Sequence, residues 1–361
     1  MAGRTADATR DVDAHRAIVV AVDTDDPKRP LEPELGEFAA LAEAAGAQVV
    51  DIVVQKRDAV DAATLVGSGK AREVAERARE LRAGLLLVLN DLRPRQRKNL
   101  ERIVPLPIVD RTMLILDVFA RHARSREGKL QVEMAQLRYR QSNLIGVGAD
   151  LSRLGGGIGT RGPGETKLEV DRRRINARVG VLRRQLEDVR RQRAVRRAAP
   201  HREPLVALVG YTNAGKSSLL NALAHSDAFV ADQPFATLDP TVRRVYLQPD
   251  AYVRVADTVG FITDLPKDLV NAFRATLEEL RDADALVEVL DASSSDWPRQ
   301  RIAVEALLHE LELDRKPRVV AFNKCDVSPS PPQEPGALCV SAKTGAGLTE
   351  LRAVLARVCD V

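Results

Sequence analysis

The apolar run Leu205-Val-Ala-Leu-Val209 leads into Gly210-Tyr-Thr-Asn-Ala-Gly215-Lys216-Ser217, and Ser218-Leu-Leu-Asn-Ala-Leu223 follows. This spacing, G-x-x-x-x-G-K-S between a strand and a helix start, is that of a phosphate-binding loop. The glycines let the backbone curl so that successive N–H groups face phosphate oxygens, and the helix N-terminus adds positive potential. Lys216 suits the β- and γ-phosphates as a point charge, and the Ser217 hydroxyl suits Mg²⁺. An ordinary glycine turn before a helix would not need strand, spacing, Lys-Ser and helix together. The stretch fixes an α/β fold with a mainly parallel sheet.

Two later stretches choose the base. The run Arg318-Val-Val-Ala-Phe322 ends in Asn323-Lys324-Cys325-Asp326. A carboxylate at Asp326 accepts the ring N–H and the exocyclic amine of guanine, a donor pair that adenine lacks. Asn323 can tie this loop to the phosphate loop, and the Lys324 stem can lie along the purine. Ser341-Ala342-Lys343 follows Leu338-Cys-Val340 and offers a backbone N–H to guanine O6. Between them, Asp257-Thr258-Val259-Gly260 follows the alternating run Tyr252-Val-Arg-Val-Ala256. Asp257 there can hold a metal through water, and the Gly260 N–H can sense a γ-phosphate. Each motif is weak alone; in this order, each at a strand end, they imply a guanine-nucleotide switch.

The 361 residues suffice for two domains with a connector. No apolar run approaches the roughly 20 residues needed to span a bilayer, and the N-terminus lacks the apolar segment of a signal peptide. Cys325, Cys339 and Cys359 are odd in number and scattered, which argues against a disulfide framework or metal knuckle and for a reducing, cytoplasmic location. Net charge is only +4, yet residues 161–202 carry fourteen Lys/Arg against five Asp/Glu. Such a local excess fits either a polyanionic partner or a solvated helix face.

Residues 1–16 read as a polar tail. Strand–helix alternation then predicts a small parallel α/β domain over 17–110, with strands at Ala17–Val22, Gln48–Val54 and Leu85–Leu89. Helices are expected at Glu34–Ala45, Ala71–Leu81 and Pro94–Arg102. Val66-Gly-Ser-Gly-Lys70 resembles a phosphate loop but lacks half of its spacing. Residues 111–200 switch to helical periodicity: Met113, Leu116, Phe119 and Ala120 on one face, then Leu130, Met134, Leu137 and Gln141. Leu154–Gly164 holds six glycines, with Arg153 and Arg161 beside them, and reads as the apical loop of a helical hairpin or as a flexible linker. The return helix, about Glu165 to Arg197, places Leu168, Ile175, Val179, Leu182, Leu186 and Val189 on a heptad seam. Pro200 and Pro204 introduce the nucleotide domain, 201–361, which closes with a helix over Gly345–Val358.

The chain resembles the HflX-type GTPases from about residue 17 to its end. The specific motifs are Val66-Gly-Ser-Gly-Lys70, Asp110-Arg-Thr-Met-Leu-Ile-Leu-Asp-Val-Phe-Ala120, Arg126-Glu-Gly-Lys-Leu-Gln-Val-Glu133, Gly155-Gly-Gly-Ile-Gly-Thr-Arg-Gly-Pro-Gly-Glu-Thr-Lys-Leu-Glu169 and Phe235-Ala-Thr-Leu-Asp-Pro-Thr241. The resemblance implies an N-terminal α/β subdomain, a helical hairpin and a GTPase domain. It also implies binding to the large ribosomal subunit and its rRNA and, in some members, separation of stalled or idle ribosomes. A small domain that some members carry after the GTPase domain is not found in this sequence, which puts any role of that domain in doubt. Phe261 follows Gly260, where small signalling GTPases often carry a water-positioning glutamine, so slow intrinsic hydrolysis is expected.

The expected nucleotide site comprises Gly210, Tyr211, Thr212, Asn213, Ala214, Gly215, Lys216, Ser217 and Ser218 of the phosphate loop, and Phe235, Ala236, Thr237, Leu238 and Asp239 of the first switch. Asp257, Thr258, Val259 and Gly260 follow, then Asn323, Lys324, Cys325 and Asp326, and Ser341, Ala342 and Lys343. Catalytic roles fall to Lys216, Thr237, Gly260 and Asn213, and Mg²⁺ to Ser217 and Thr237, with Thr241 the weaker candidate for the switch threonine. Asn213 resembles the asparagine at the matching position of GTPases that use K⁺; its alternative role is a hydrogen bond to the switch backbone. Arg153 and Arg161 are candidate RNA contacts. A monomeric GTP hydrolase that docks on RNA is the first reading, a GTP-gated module for a protein partner the second; an ATP-driven enzyme conflicts with Asp326.

Overall fold

The computed structural model describes residues 15–27, 29–154, 163–197, 203–225, 233–239, 241–263, 280–328 and 330–361; within the long helices, the side chains of 144–168, 190 and 192–197 are not described. The chain divides into two compact units, Met1–Arg121 with Glu133–Gln185, and His122–Val132 with Leu186–Val361.

In the first unit, β1 (Arg16–Asp23), β2 (Gln48–Lys56), β3 (Leu85–Val88) and β4 (Ile108–Asp110) form a parallel sheet in the order β2-β1-β3-β4. Helices α1 (Leu31–Ala44), α2 (Ser68–Glu80) and α3 (Pro94–Ile103) connect the strands. Strands β1 and β3 are apolar runs buried nearly throughout, as a sheet covered on both faces requires. Strand β4 escapes periodicity because it has only three residues, yet all three are buried beside β3. The Gly67 turn opens α2. Gly67 takes φ +83° and its carbonyl accepts the Ala71 amide at 3.0 Å, while Lys70 pairs with Glu73 at 2.9 Å.

Two long helices follow α4 (Arg111–His122): α5 (Arg126–Leu154) and α6 (Pro163–Arg197). In α4, Leu116 and Phe119 are buried and Met113 half-buried, but Ala120 is exposed. The helix instead turns Leu114, Ile115 and Val118 inward, a wider apolar face than the expected stripe. Met134 is buried in α5, and Leu182 and Leu186 in α6. Ile175, Val179 and Val189 are half-buried, while Arg172, Arg173, Arg174, Arg178, Arg183 and Arg184 are exposed. Within the first unit Arg178 meets Glu133 at 2.7 Å and Gln141 donates to Asn176 at 2.8 Å, so α5 and α6 lie side by side there. The glycine-rich segment 155–162, Arg161, and the side chains of Arg153 and Leu168 lie outside the described residues.

The second unit holds a sheet of β5 (Leu205–Gly210), β6 (Thr241–Gln248), β7 (Ala251–Asp257), β8 (Ala285–Asp291), β9 (Arg318–Asn323) and β10 (Leu338–Cys339), in the order β10-β9-β8-β5-β7-β6. All neighbours are parallel except β6, which returns antiparallel along β7. Helices α7 (Lys216–Ala224) and α9 (Leu348–Val358) set Leu219, Leu220, Leu223, Leu351 and Leu355 against Val206, Leu208, Val253, Val255 and Val287. Helix α8 (Trp297–Glu310) buries Val304, Leu307 and Leu308. Four strands, β5, β7, β9 and β10, end where the sequence places its nucleotide motifs. A ligand crevice belongs at the carboxyl ends of such strands.

Candidate active site

The phosphate loop is held open by its backbone. Gly215 takes φ +86° and Asn213 φ +62° before the chain enters α7. A Cβ on Gly215 would overlap Asn323 Nδ2, and one on Gly210 would overlap the Val289 carbonyl. Glycine is required at both. Asn323 Nδ2 donates to the Ala214 carbonyl at 3.0 Å, and its Oδ1 accepts the Ala342 amide at 3.0 Å. One side chain thus joins the phosphate loop, the end of β9 and the 341–343 loop.

Lys216 is buried, with Nζ donating to the carbonyls of Gly210 at 3.1 Å and Tyr211 at 2.8 Å. Burial lowers its ammonium to about 8, opposed by the nearby Asp257 carboxylate. The Asp257 carboxyl is shifted the other way: burial raises it, against Lys216 and hydrogen bonds from Ser217 and Thr237. Ser217 Oγ lies 2.5 Å and Thr237 Oγ1 2.9 Å from Asp257 Oδ2, and the two hydroxyls are 2.8 Å apart. Among the described residues, Asp257 Oδ1 is buried without a hydrogen-bond partner. Two hydroxyls converging on a carboxylate with an unmatched oxygen are hard donors that fit Mg²⁺, which is completed by water and substrate phosphate. Asp257 therefore stands in direct contact with both hydroxyls.

A cavity of about 190 Å³ opens over these groups, lined by Thr212, Asn213, Gly215, Lys216, Ser217, Ser218, Gln233, Phe235, Ala236, Thr237, Thr258, Gly260 and Lys324. Gly260 has no room for a side chain: a Cβ would come 2.8 Å from Thr212 Cα and 3.1 Å from Lys216 Nζ. Thr258 Oγ1 donates to the Leu208 carbonyl at 2.6 Å, fixing the start of the second switch to β5. Leu238 is buried away from the cavity, and Asp239 binds the start of α5. Thr241 stands in β6 and is exposed, whereas Thr237 is the threonine at the Ser217–Asp257 pair.

At the base end, Asp326 is exposed and its Oδ1 accepts Ser341 Oγ at 2.7 Å, which aims the carboxylate. The Ala342 amide is engaged by Asn323, so that contact orders the 341–343 loop from within. Lys324 takes φ +64° and pairs with Asp291 at 2.7 Å. Burial and the neighbouring Cys339 push the Cys325 thiol up to about 11, so Cys325 is no nucleophile there. Sequence reasoning missed two contributors, Gln233 in the cavity wall and Asp291 beneath Lys324, while the expected Tyr211 places its hydroxyl 2.7 Å from Thr263 Oγ1. Neither Gln233 nor Asp291 belongs to a spaced motif; only Asp291, ending an apolar run, carried a positional hint.

The sheet order, the phosphate loop and the base-end loops define a P-loop GTPase. Residues 32–120, 122–199 and 205–324 match families described as "GTP-binding GTPase N-terminal", "GTP-binding GTPase Middle Region" and "50S ribosome-binding GTPase". GTPase HflX of Caldanaerobacter subterraneus subsp. tengcongensis is 47% identical over 348 residues, spanning 96% of this chain and 81% of that one. GTPase HflX of Escherichia coli K12 is 42% identical over 328 residues, spanning 88% and 77%. The fold is shared with the crystal structure of SsGBP with GDP (TM-score 0.53, 22% identity, 96% of this chain and 98% of that one). It is shared also with a GTP-binding protein of Sulfolobus solfataricus in complex with GDP (TM-score 0.51, 22% identity, 96% and 99%). This chain belongs to the HflX family of GTPases and hydrolyses GTP.

Asp326→Asn should lower GTP affinity by about 1.5–3 kcal/mol and raise affinity for xanthosine nucleotides, because the amide matches the polarity of that base. Equilibrium titration with both nucleotides checks it; GTP binding retained at the wild-type level would remove Asp326 from base reading. Lys216 adds a pH dependence. Below its value of about 8 it is charged before GTP arrives, and above it a proton must be taken up to meet the phosphates. GTP affinity should be flat on the acid side and fall above that point by at most about tenfold per pH unit. Calorimetry in buffers of different ionisation heat should register proton uptake only on the alkaline side.

Proposed function

We propose that this GTPase docks on the large ribosomal subunit and its rRNA in its GTP state, through the helical pair α5 and α6, and separates stalled or idle ribosomes as a cytoplasmic monomer. The observation that carries the reading is the face of α6, where Arg172, Arg173, Arg174, Arg183 and Arg184 stand exposed while Leu182 and Leu186 are buried. A row of arginines on a helix neutralises phosphates at little structural cost, and RNA is the partner that matches it. The ribosome-binding description of the matched GTPase family points the same way. Arg153 and Arg161 flank the glycine-rich segment and extend this charge in sequence.

In hydrolysis, Lys216 neutralises phosphate charge while Ser217 and Thr237 hold Mg²⁺ with Asp257 behind them. Held there, Mg²⁺ would supply positive charge against that developing on the phosphates. Phe261 cannot orient water. It is buried, its amide donates to the Gly210 carbonyl at 3.1 Å, and its carbonyl accepts the Thr212 amide at 2.7 Å. It is therefore a backbone brace between the second switch and the phosphate loop. Positive charge at the β–γ bridge then comes from elsewhere. Asn213 is exposed at the cavity with positive φ, and in this reading its side-chain carbonyl coordinates K⁺ against the phosphates.

Co-sedimentation with ribosomal subunits tests the docking. Binding should be stronger with a GTP analogue than with GDP, weaken steeply with salt, and drop when Arg153 and Arg161 are both replaced by alanine. Salt-insensitive binding would instead favour a GTP-gated protein partner. Turnover of GTP should be faster in K⁺ than in Na⁺ at matched ionic strength, and Asn213→Ala should erase the difference. Equal wild-type rates in the two salts would leave the ribosome as the activator.

A further inference from the structure

Two residues beyond Thr237, Asp239 is not part of the cavity lining, and among the described residues its hydrogen bonds go to the start of α5. Its Oδ2 accepts the amides of Arg124 at 2.7 Å and Ser125 at 2.5 Å, and its Oδ1 accepts Ser125 Oγ at 2.5 Å. Ser125 Oγ in turn accepts the Gly128 amide at 2.9 Å, capping the helix. Three donors at a helix N-terminus favour a carboxylate strongly. The fit is close: a Cβ on Gly128 would overlap Asp239 Oδ1. Leu238 between the two ends is 2% exposed. All these residues lie within the second compact unit.

We infer that Asp239 is a positioning residue for Thr237, clamping the end of the first switch to α5 so that the Thr237 hydroxyl stays on Ser217 and Asp257. Two residues of extended chain span at most about 7 Å, so the clamp and the hydroxyl move together. Thr237 is needed only when a γ-phosphate and its metal are present. The clamp therefore favours GTP and its hydrolysis and does nothing for GDP. The inference rests on Thr237 being the switch threonine.

Gly128 supplies a test remote in sequence from the nucleotide motifs. Gly→Ala inside a helix is ordinarily favourable; here the methyl would displace the carboxylate. In the full-length chain, affinities for GDP and a non-hydrolysable GTP analogue, and single-turnover GTP hydrolysis, would be measured for Asp239→Ala, Gly128→Ala, their double variant and Thr237→Ala. Asp239→Ala and Gly128→Ala should each lose about five- to tenfold in analogue affinity and turnover, with GDP affinity held within about twofold. The double variant should be no worse than Asp239→Ala alone. The isosteric Asp239→Asn, which keeps an acceptor for Ser125 Oγ, should fall between. A wild-type Gly128→Ala, additive losses in the double variant, or a parallel fall in GDP affinity would overturn the clamp. Wild-type turnover in Thr237→Ala would overturn the switch-threonine reading and the clamp with it.

Discussion

The buried carboxylate of Asp257 is the constraint around which the GTPase unit is arranged. A carboxylate out of water is costly unless it is paired and hydrogen-bonded. Here Lys216 supplies opposite charge, and Ser217 and Thr237 donate to one of its oxygens. Those groups come from two places in the chain: the start of the helix after the phosphate loop, and the first switch that has to fold over it. Among the described residues the second oxygen has no hydrogen-bond partner, a gap that a divalent cation would fill. Satisfying this one group thus draws the first switch onto the phosphate loop and prepares the site for metal and triphosphate together.

A second organising contact is Asn323, whose amide spans from the phosphate loop to the 341–343 loop. It works because parallel strands β5 and β9 end on the same edge of the sheet, a consequence of crossover connections rather than of any local sequence. Glycine then appears where the approach is closest, as at Gly210 against the Val289 carbonyl and Gly215 against the Asn323 side chain. The base-reading loop and the phosphate-binding loop are in this way one mechanical piece.

The first switch has two attachments of different kinds. Thr237 is tied to Ser217 and Asp257, while Asp239 is tied to the helix that begins the middle region. The exposed arginines of α6 are carried on that same middle region. A nucleotide-dependent movement of the switch therefore has a direct chemical route to the start of α5, made of backbone amides and one hydroxyl.

The P-loop GTPase fold was legible in the chain because its strands are long apolar runs ending in motifs with fixed spacing. Lys216, Ser217, Asp257 and Asn323 could be named from sequence since each chemistry demands one residue type at one offset. Strand β4 was not legible: three residues give no periodicity, and only pairing with β3 makes them a strand. Ala120 was assigned inward by a regular stripe, but tertiary packing around α4 chose a wider face and left it in solvent. Asp291 under Lys324, and the Asp239–Ser125–Gly128 contact, join residues remote in sequence, where no local pattern exists to read. By itself, then, the sequence determined the chemistry of the nucleotide site, because phosphate, metal and guanine each dictate a residue type. Tertiary structure alone decided which hydroxyls share the Asp257 carboxylate and where the first switch is anchored, because burial and close approach are properties of the folded chain.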